Sequence, residues 1–167
     1  MSSNASKLCL SRRGVLLGAL GLAGCGLTPV YGTQGTAAAL RGAVAVTAPE
    51  TVAGYRLRSR FIERLGPVSE ARFQLTVTIA QTPTPATITT DGDTTRFNLI
   101  GAATWILSDL AGTVLKDGTV ETFTSYSATG STVATQAVET DAAARLSVAL
   151  ADLIIARLII AAPEFSR

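Results

Sequence analysis

The chain has 167 residues, 14 of them basic and 12 acidic, with no histidine and two cysteines. The lack of histidine removes the commonest general base and the commonest metal ligand. No spacing of acids forms a metal motif, and no Gly-rich strand-to-helix loop matches a phosphate cradle. Ser and Thr are plentiful, but none stands in a nucleophile elbow. No enzyme, no cofactor and no metal are expected; only carboxylates meeting in space would revive catalysis.

The N-terminal segment carries the sharpest signal. Lys7, Arg12 and Arg13 precede a short apolar run of Val15, Leu16, Leu17, Ala19, Leu20 and Leu22. A basic start, a short apolar segment and small residues before the cut make a secretory signal. The run is too short and too rich in Gly for a permanent span. Leu22-Ala23-Gly24-Cys25 resembles the lipobox of bacterial lipoproteins, in which the Cys is acylated and becomes the first mature residue. Residues 1–24 are therefore read as a lipoprotein signal peptide, and Cys25 as the site of covalent lipid. One acyl chain holds only marginally at roughly 0.8 kcal/mol per buried methylene, so several chains are needed for firm attachment. Ser11-Arg12-Arg13-Gly14-Val15-Leu16 fits either a twin-arginine export motif or an ordinary basic start. Gly26 stands where lipoproteins kept at the inner membrane often carry Asp, which favours the outer membrane, periplasmic side.

Loss of the signal changes the charge. Lys7, Arg12 and Arg13 depart with no acid, leaving 11 basic residues against 12 acidic ones, a net charge of −1. No nucleic-acid surface is expected. Cys9 is also lost and Cys25 is consumed by lipid, so the mature chain has no thiol for a disulfide. What remains is one domain's length of chain, held by packing.

Residues 25–40 read as a lipidated N-terminus and tether, broken by Pro29, Gly32 and Gly35. Arg41 to Thr47 is a short strand around Val44 and Val46. Pro49 suits the start of a helix from Glu50 to Leu65, in which Val52, Tyr55, Leu57, Phe61, Ile62 and Leu65 recur at helical spacing. Gly66-Pro67 ends it. Its Arg56, Arg58, Arg60 and Arg64 admit two readings. One is a solvated face supported by pairs such as Arg60 with Glu63. The other is contact with anionic lipid phosphates or an acidic partner surface.

From Ala71 the period becomes two, with Phe73, Leu75, Val77 and Ile79 on one side and Gln74, Thr76 and Thr78 on the other. Pro83 and Pro85 make residues 81–86 an edge or a bend. Asp91-Gly92-Asp93 is a turn. Thr95 to Leu107 is the next strand, with Phe97, Leu99, Ala103, Trp105 and Leu107 on one face. Thr113 to Tyr126 returns as the last, with Gly118 expected at a bulge or bend.

Ser131 to Ala162 reads as a long helix capped by Ser131 or Thr132 and stopped by Pro163. The expected core stripe is Leu146, Leu150, Leu153, Ile154 and Leu158, so Leu153→Asp is expected to unfold the domain. Ile155 and Ile159 fall outside that stripe, as a second contact surface or as scattered exposure. A membrane span is rejected, because Arg145, Asp152 and Arg157 would cost roughly 2.5–3.5 kcal/mol each near its centre.

The order of lipobox, short strand, Arg-rich helix, three long strands and Ala/Arg-rich helix is similar to the LptE family of lipopolysaccharide-assembly lipoproteins. The closest stretches are Cys25-Gly26-Leu27-Thr28-Pro29-Val30-Tyr31-Gly32, Thr124-Ser125-Tyr126-Ser127 and Glu139-Thr140-Asp141-Ala142-Ala143-Ala144-Arg145. The chain departs by its low aromatic content and by Val133, where an aromatic is expected. The resemblance implies an α+β fold over residues 41–162, a two-layer sandwich of a mixed four-stranded sheet with two helices packed on one face, followed by a tail at 163–167. It also implies a non-catalytic outer-membrane lipoprotein that plugs and helps assemble an LptD-type β-barrel and supports lipopolysaccharide delivery to the outer leaflet. Lipopolysaccharide is polyanionic, which makes Arg56, Arg58, Arg60, Arg64 and Arg96 the candidate contacts. The alternative is a periplasmic lipid- or lipoprotein-carrier domain holding an acyl chain, which requires a deep apolar pocket.

Overall fold

A computed structural model describes residues 35–88, 94–128 and 131–165. The lipobox with Cys25 and the Asp91-Gly92-Asp93 turn lie outside the described residues. After a short 3-10 helix at Thr36–Leu40, the order is β1 (Val44–Thr47), α1 (Val52–Leu65), β2 (Phe73–Ile88), β3 (Thr94–Asp109), β4 (Val114–Ser127) and α2 (Thr132–Phe165). The strands lie in the order β1-β2-β3-β4. β1 runs parallel to β2 across the α1 crossover, and the other two pairings are antiparallel. This is the expected α+β arrangement of a mixed four-stranded sheet and two helices.

Alternation decides which side of the sheet is covered. Leu75, Leu107, Val77, Trp105, Ala103, Leu99 and Val120 point to the helices and are buried. Their neighbours Thr76, Thr78, Thr104 and Thr119 point the other way and are exposed. Pro83 and Pro85 do not end β2: they pair in register with Leu99 and Phe97, and shifts follow at Thr87. Two residues apart, they face the same side, and β1 reaches only as far as Thr76. That open stretch of edge has no ladder for a proline to break.

Gly118 is not at a bulge. It sits in regular register opposite Trp105, and the shift falls at Leu107 and Ser108 instead. The reason for a glycine is space: a Cβ there would meet the Trp105 ring at 3.1 Å. Gly101 plays the same part beneath α2, where an added Cβ would lie 2.8 Å from Leu146 and 3.1 Å from Leu150.

The helices account for the remaining corrections. On α1, Leu57, Phe61 and Leu65 enter the core, while Val52, Tyr55 and Ile62 are exposed. This helix covers the edge of the sheet beside β1, so a single narrow stripe suffices. Thr51 caps it by accepting from Gly54 N–H at 3.2 Å, and Gly66, with φ of 82°, closes it. On α2, Leu153 lies outside the core at 40% exposure, whereas Ile155 and Ile159 are buried. The expected stripe was too narrow and displaced to one side, because α2 packs at once against β3, β4 and α1. By length and apolarity α2 could cross a membrane, but 56% of its most apolar window is buried within the domain.

Both ends of the domain extend past the expected limits. Ala37 and Leu40 are in the core, so part of the stretch read as tether belongs to the folded unit. At the other end α2 continues through Pro163 to Phe165. Its last turn is held by side chains: Phe165 meets Phe73 edge-on at 5.4 Å, and Lys116 pairs with Glu164 at 3.0 Å.

Candidate functional site

Two surfaces carry polar chemistry: the seam between the helices, and the sheet face that neither helix covers. At the seam, Arg60 donates to both oxygens of Asp152 and reaches Glu63 at 2.8 Å. These partners hold its guanidinium pKa above the ordinary value, Asp152 contributing most. Arg64 stands 3.7 Å from the same Asp152. Arg58 is turned away, donating to Glu50 at 2.7 Å and to the Ala48 carbonyl at 3.2 Å. The hydrogen bond from Arg58 keeps the Glu50 carboxyl below its usual range.

Arg56, Arg58, Arg60, Arg64 and Arg96 therefore do not form one cationic cluster. Arg60 and Arg64 meet over a shared carboxylate. Arg56 lines a separate shallow cleft with Asp141 and Arg145, where Arg145 is bonded to Asp141 at 2.8 Å and to Thr124 at 3.0 Å. Arg96 is exposed on β3, opposite Ser127 on one side and Thr87 on the other. Sequence reading missed Asp152 as the acceptor between the helices, although Arg60 and Arg64 lie four apart on one face of α1. It also missed Gln81, whose amide donates to Ser147 Oγ at 3.2 Å and to the Ala143 carbonyl at 3.3 Å beneath α2.

The uncovered sheet face is a ladder of short polar side chains with a few apolar groups. Ser125 donates to Asn98 at 2.7 Å, and Thr104 and Thr119 lie 3.3 Å apart across the strands. Ile100 and Phe123 are paired opposite each other, 45% and 65% exposed, and Ile106 stands farther along β3. On the helix side, the apolar pocket between β1 and α1 holds about 120 Å³. Among the described residues no group of three or more His, Cys, Asp or Glu could hold a metal ion.

The sequence profile of LptE, Lipopolysaccharide-assembly, matches residues 39–158, which span β1 through most of α2. The chain belongs to the LptE family. Solved structures share the fold of this LptE-family chain. A Caulobacter crescentus CB15 protein described as a lipoprotein superposes with a TM-score of 0.66 at 22% identity, over 79% of this chain and 98% of the other. Rare lipoprotein B from Shewanella oneidensis gives 0.59 at 10% identity, over 74% and 98%. A minor lipoprotein from Acinetobacter baumannii gives 0.51 at 18% identity, over 74% and 92%. No curated protein matches the chain.

Proposed function

We propose that this LptE-family chain is a non-catalytic outer-membrane lipoprotein, anchored on the periplasmic side by lipid on Cys25. It plugs an LptD-type β-barrel, helps that barrel assemble and supports lipopolysaccharide delivery to the outer leaflet. The observation that carries the reading is the sheet face without a helix. Its Thr, Ser and Asn side chains suit the polar, wet interior of a large barrel, and Ile100, Phe123 and Ile106 offer a small apolar foothold there. Arg56 and Arg96 are the exposed candidates for lipid phosphates. Arg58, Arg60 and Arg64 would first have to exchange Glu50, Glu63 or Asp152 for an outside anion. A lipid carrier would need a deep apolar pocket between sheet and helices. The pocket between β1 and α1 holds about 120 Å³, short of the roughly 300–1,000 Å³ of ligand pockets, and the roomier clefts among the described residues are open surface grooves.

The test is a photo-crosslinking residue placed at Phe123 in cells, with a second at Tyr55 on α1 as comparison. The expected result is an adduct with a barrel of much larger mass from Phe123. Adducts from Tyr55 alone, or none with any barrel, would overturn the reading. Cys25→Ala should then release from membranes, on a salt wash, the folded protein made in excess over its barrel, while the barrel-bound share stays.

A further inference from the structure

Among the described residues the sheet has three stretches of open edge, and they are defended unequally. Exposed edges invite pairing with other chains unless prolines or charges blunt them. The far part of β2 carries Pro83 and Pro85. β4, the outermost strand on the other side, carries Lys116, Asp117 and Glu121. β1 reads Val-Ala-Val-Thr, with neither defence.

The backbone of β1 presents usable groups at that edge. Phe73 N–H donates to the Ala43 carbonyl at 3.0 Å. With Val44 and Phe73 in parallel register, this turns Ala45 and Thr47 toward β2. Alternation along a strand then turns the N–H and C=O of Val44 and Val46 to the open side. Val44 is 6% exposed and Val46 is half-buried, so the accessible stretch centres on Val46. The apolar pocket of about 120 Å³ lies alongside, lined by Val44, Val46, Phe61, Ile62, Leu65 and Val68. Ile62 and Val68, 53% and 49% exposed, form its rim. Arg58 also borders the pocket, but its charge is matched by Glu50. The site therefore favours an uncharged occupant.

We propose that β1 is a docking edge for an extended segment of a partner polypeptide, which adds beside Val46 as a fifth strand. One branched aliphatic side chain of that segment fills the pocket between β1 and α1. This is strand addition, in which main-chain hydrogen bonds give affinity and a side-chain pocket gives selectivity. The short edge decides against a second copy of the chain. Four residues bury far less than the roughly 1,200 Å² of a stable interface, so the occupant is a flexible segment of a protein held nearby by other contacts. The inference rests on the fold alone and stands whether or not the partner is a barrel.

The experiment uses the full-length protein in detergent and two capped hexapeptides, one alternating Thr with Val and one alternating Thr with Ser. At millimolar concentration the Val peptide is expected to slow amide exchange at Val46 at least about tenfold, and the Ser peptide much less. Ile62→Lys, at an exposed rim position, should abolish that protection, and Ile106→Lys on the opposite sheet face should leave it intact. Unchanged exchange at Val46, or equal protection in Ile62→Lys, would overturn the proposal. So would protection without peptide: if it grows with protein concentration the occupant is a second copy, and if it does not the chain covers its own edge.

Discussion

Arg60 holds Asp152 with both arms of its guanidinium, Nε to Oδ1 and Nη2 to Oδ2, each at 2.9 Å across 92 positions of sequence. The two-pronged geometry locks α1 against α2 at a fixed height, which a single contact would not do. Both side chains keep some contact with water, 23% for Arg60 and 36% for Asp152, so the energy is modest. Asp152→Ala is expected to cost about 1 kcal/mol, read as a lower urea midpoint with an unchanged slope. An unchanged midpoint would mean that apolar packing alone fixes the seam.

The two flanks of α2 should respond oppositely to the same change. Ile155 is 1% exposed and Leu153 is 40% exposed. Ile155→Asp buries a charge without a partner and is expected to cost more than about 3 kcal/mol, enough to lose the cooperative thermal transition. Leu153→Asp should stay within about 1 kcal/mol of the parent. Equal damage from both would mean that α2 is rotated about its axis from the orientation described.

Gly101 marks the closest approach of helix to sheet. Gly101→Val drives new atoms into Leu146 and Leu150 and is expected to cost about 1–3 kcal/mol. Leu146→Ala alone also destabilises, by opening a cavity. Combined with Gly101→Val it should cost less than the two losses added, because each change relieves the other's misfit. Calorimetry on the four proteins of the cycle measures that coupling, and strict additivity would show that the two residues do not touch.

The β3–β4 turn supplies a pH handle. Asp109 accepts from Thr113 N–H at 2.8 Å, and that backbone bond holds its carboxyl below the ordinary aspartate range. A folded pKa below the unfolded one contributes stability above the unfolded value, which is lost as pH falls through the folded one. Asp109→Asn should therefore lower stability slightly near neutrality and flatten the decline in acid. Thermal midpoints followed from about pH 7 to about pH 3 test this. Parallel curves for the two proteins would remove the turn from the acid response.

How much of this was legible beforehand depends on the element. The alternation of Phe73, Leu75, Val77 and Ile79 defined β2 and its buried face, because a half-covered sheet writes its two faces directly into the sequence. Gly118 was visible as an exception to the strand pattern, but its cause was not: only the pairing opposite Trp105 shows that it makes room for a ring. The face of α2 was misassigned for a related reason. Ile155, Ile159 and Leu153 are all apolar, so periodicity alone could not choose between two overlapping stripes on a helix touched from two directions. The polar sites were the least legible. Asp152 stood out only as a charge against a membrane span because its partner Arg60 is remote in sequence, and pairing at that distance leaves no local trace. Cys25 lies at the other extreme, readable from neighbouring residues alone and still an expectation.

The placement of α2 has a consequence for how the protein is made. The helix follows all four strands in chain order, yet Leu146, Leu150, Ile154 and Leu158 are what seal Leu75, Trp105 and Leu107 from water. A nascent or partly threaded chain thus exposes a greasy half-finished meander until that helix is free to dock, and needs shielding by other factors throughout that interval.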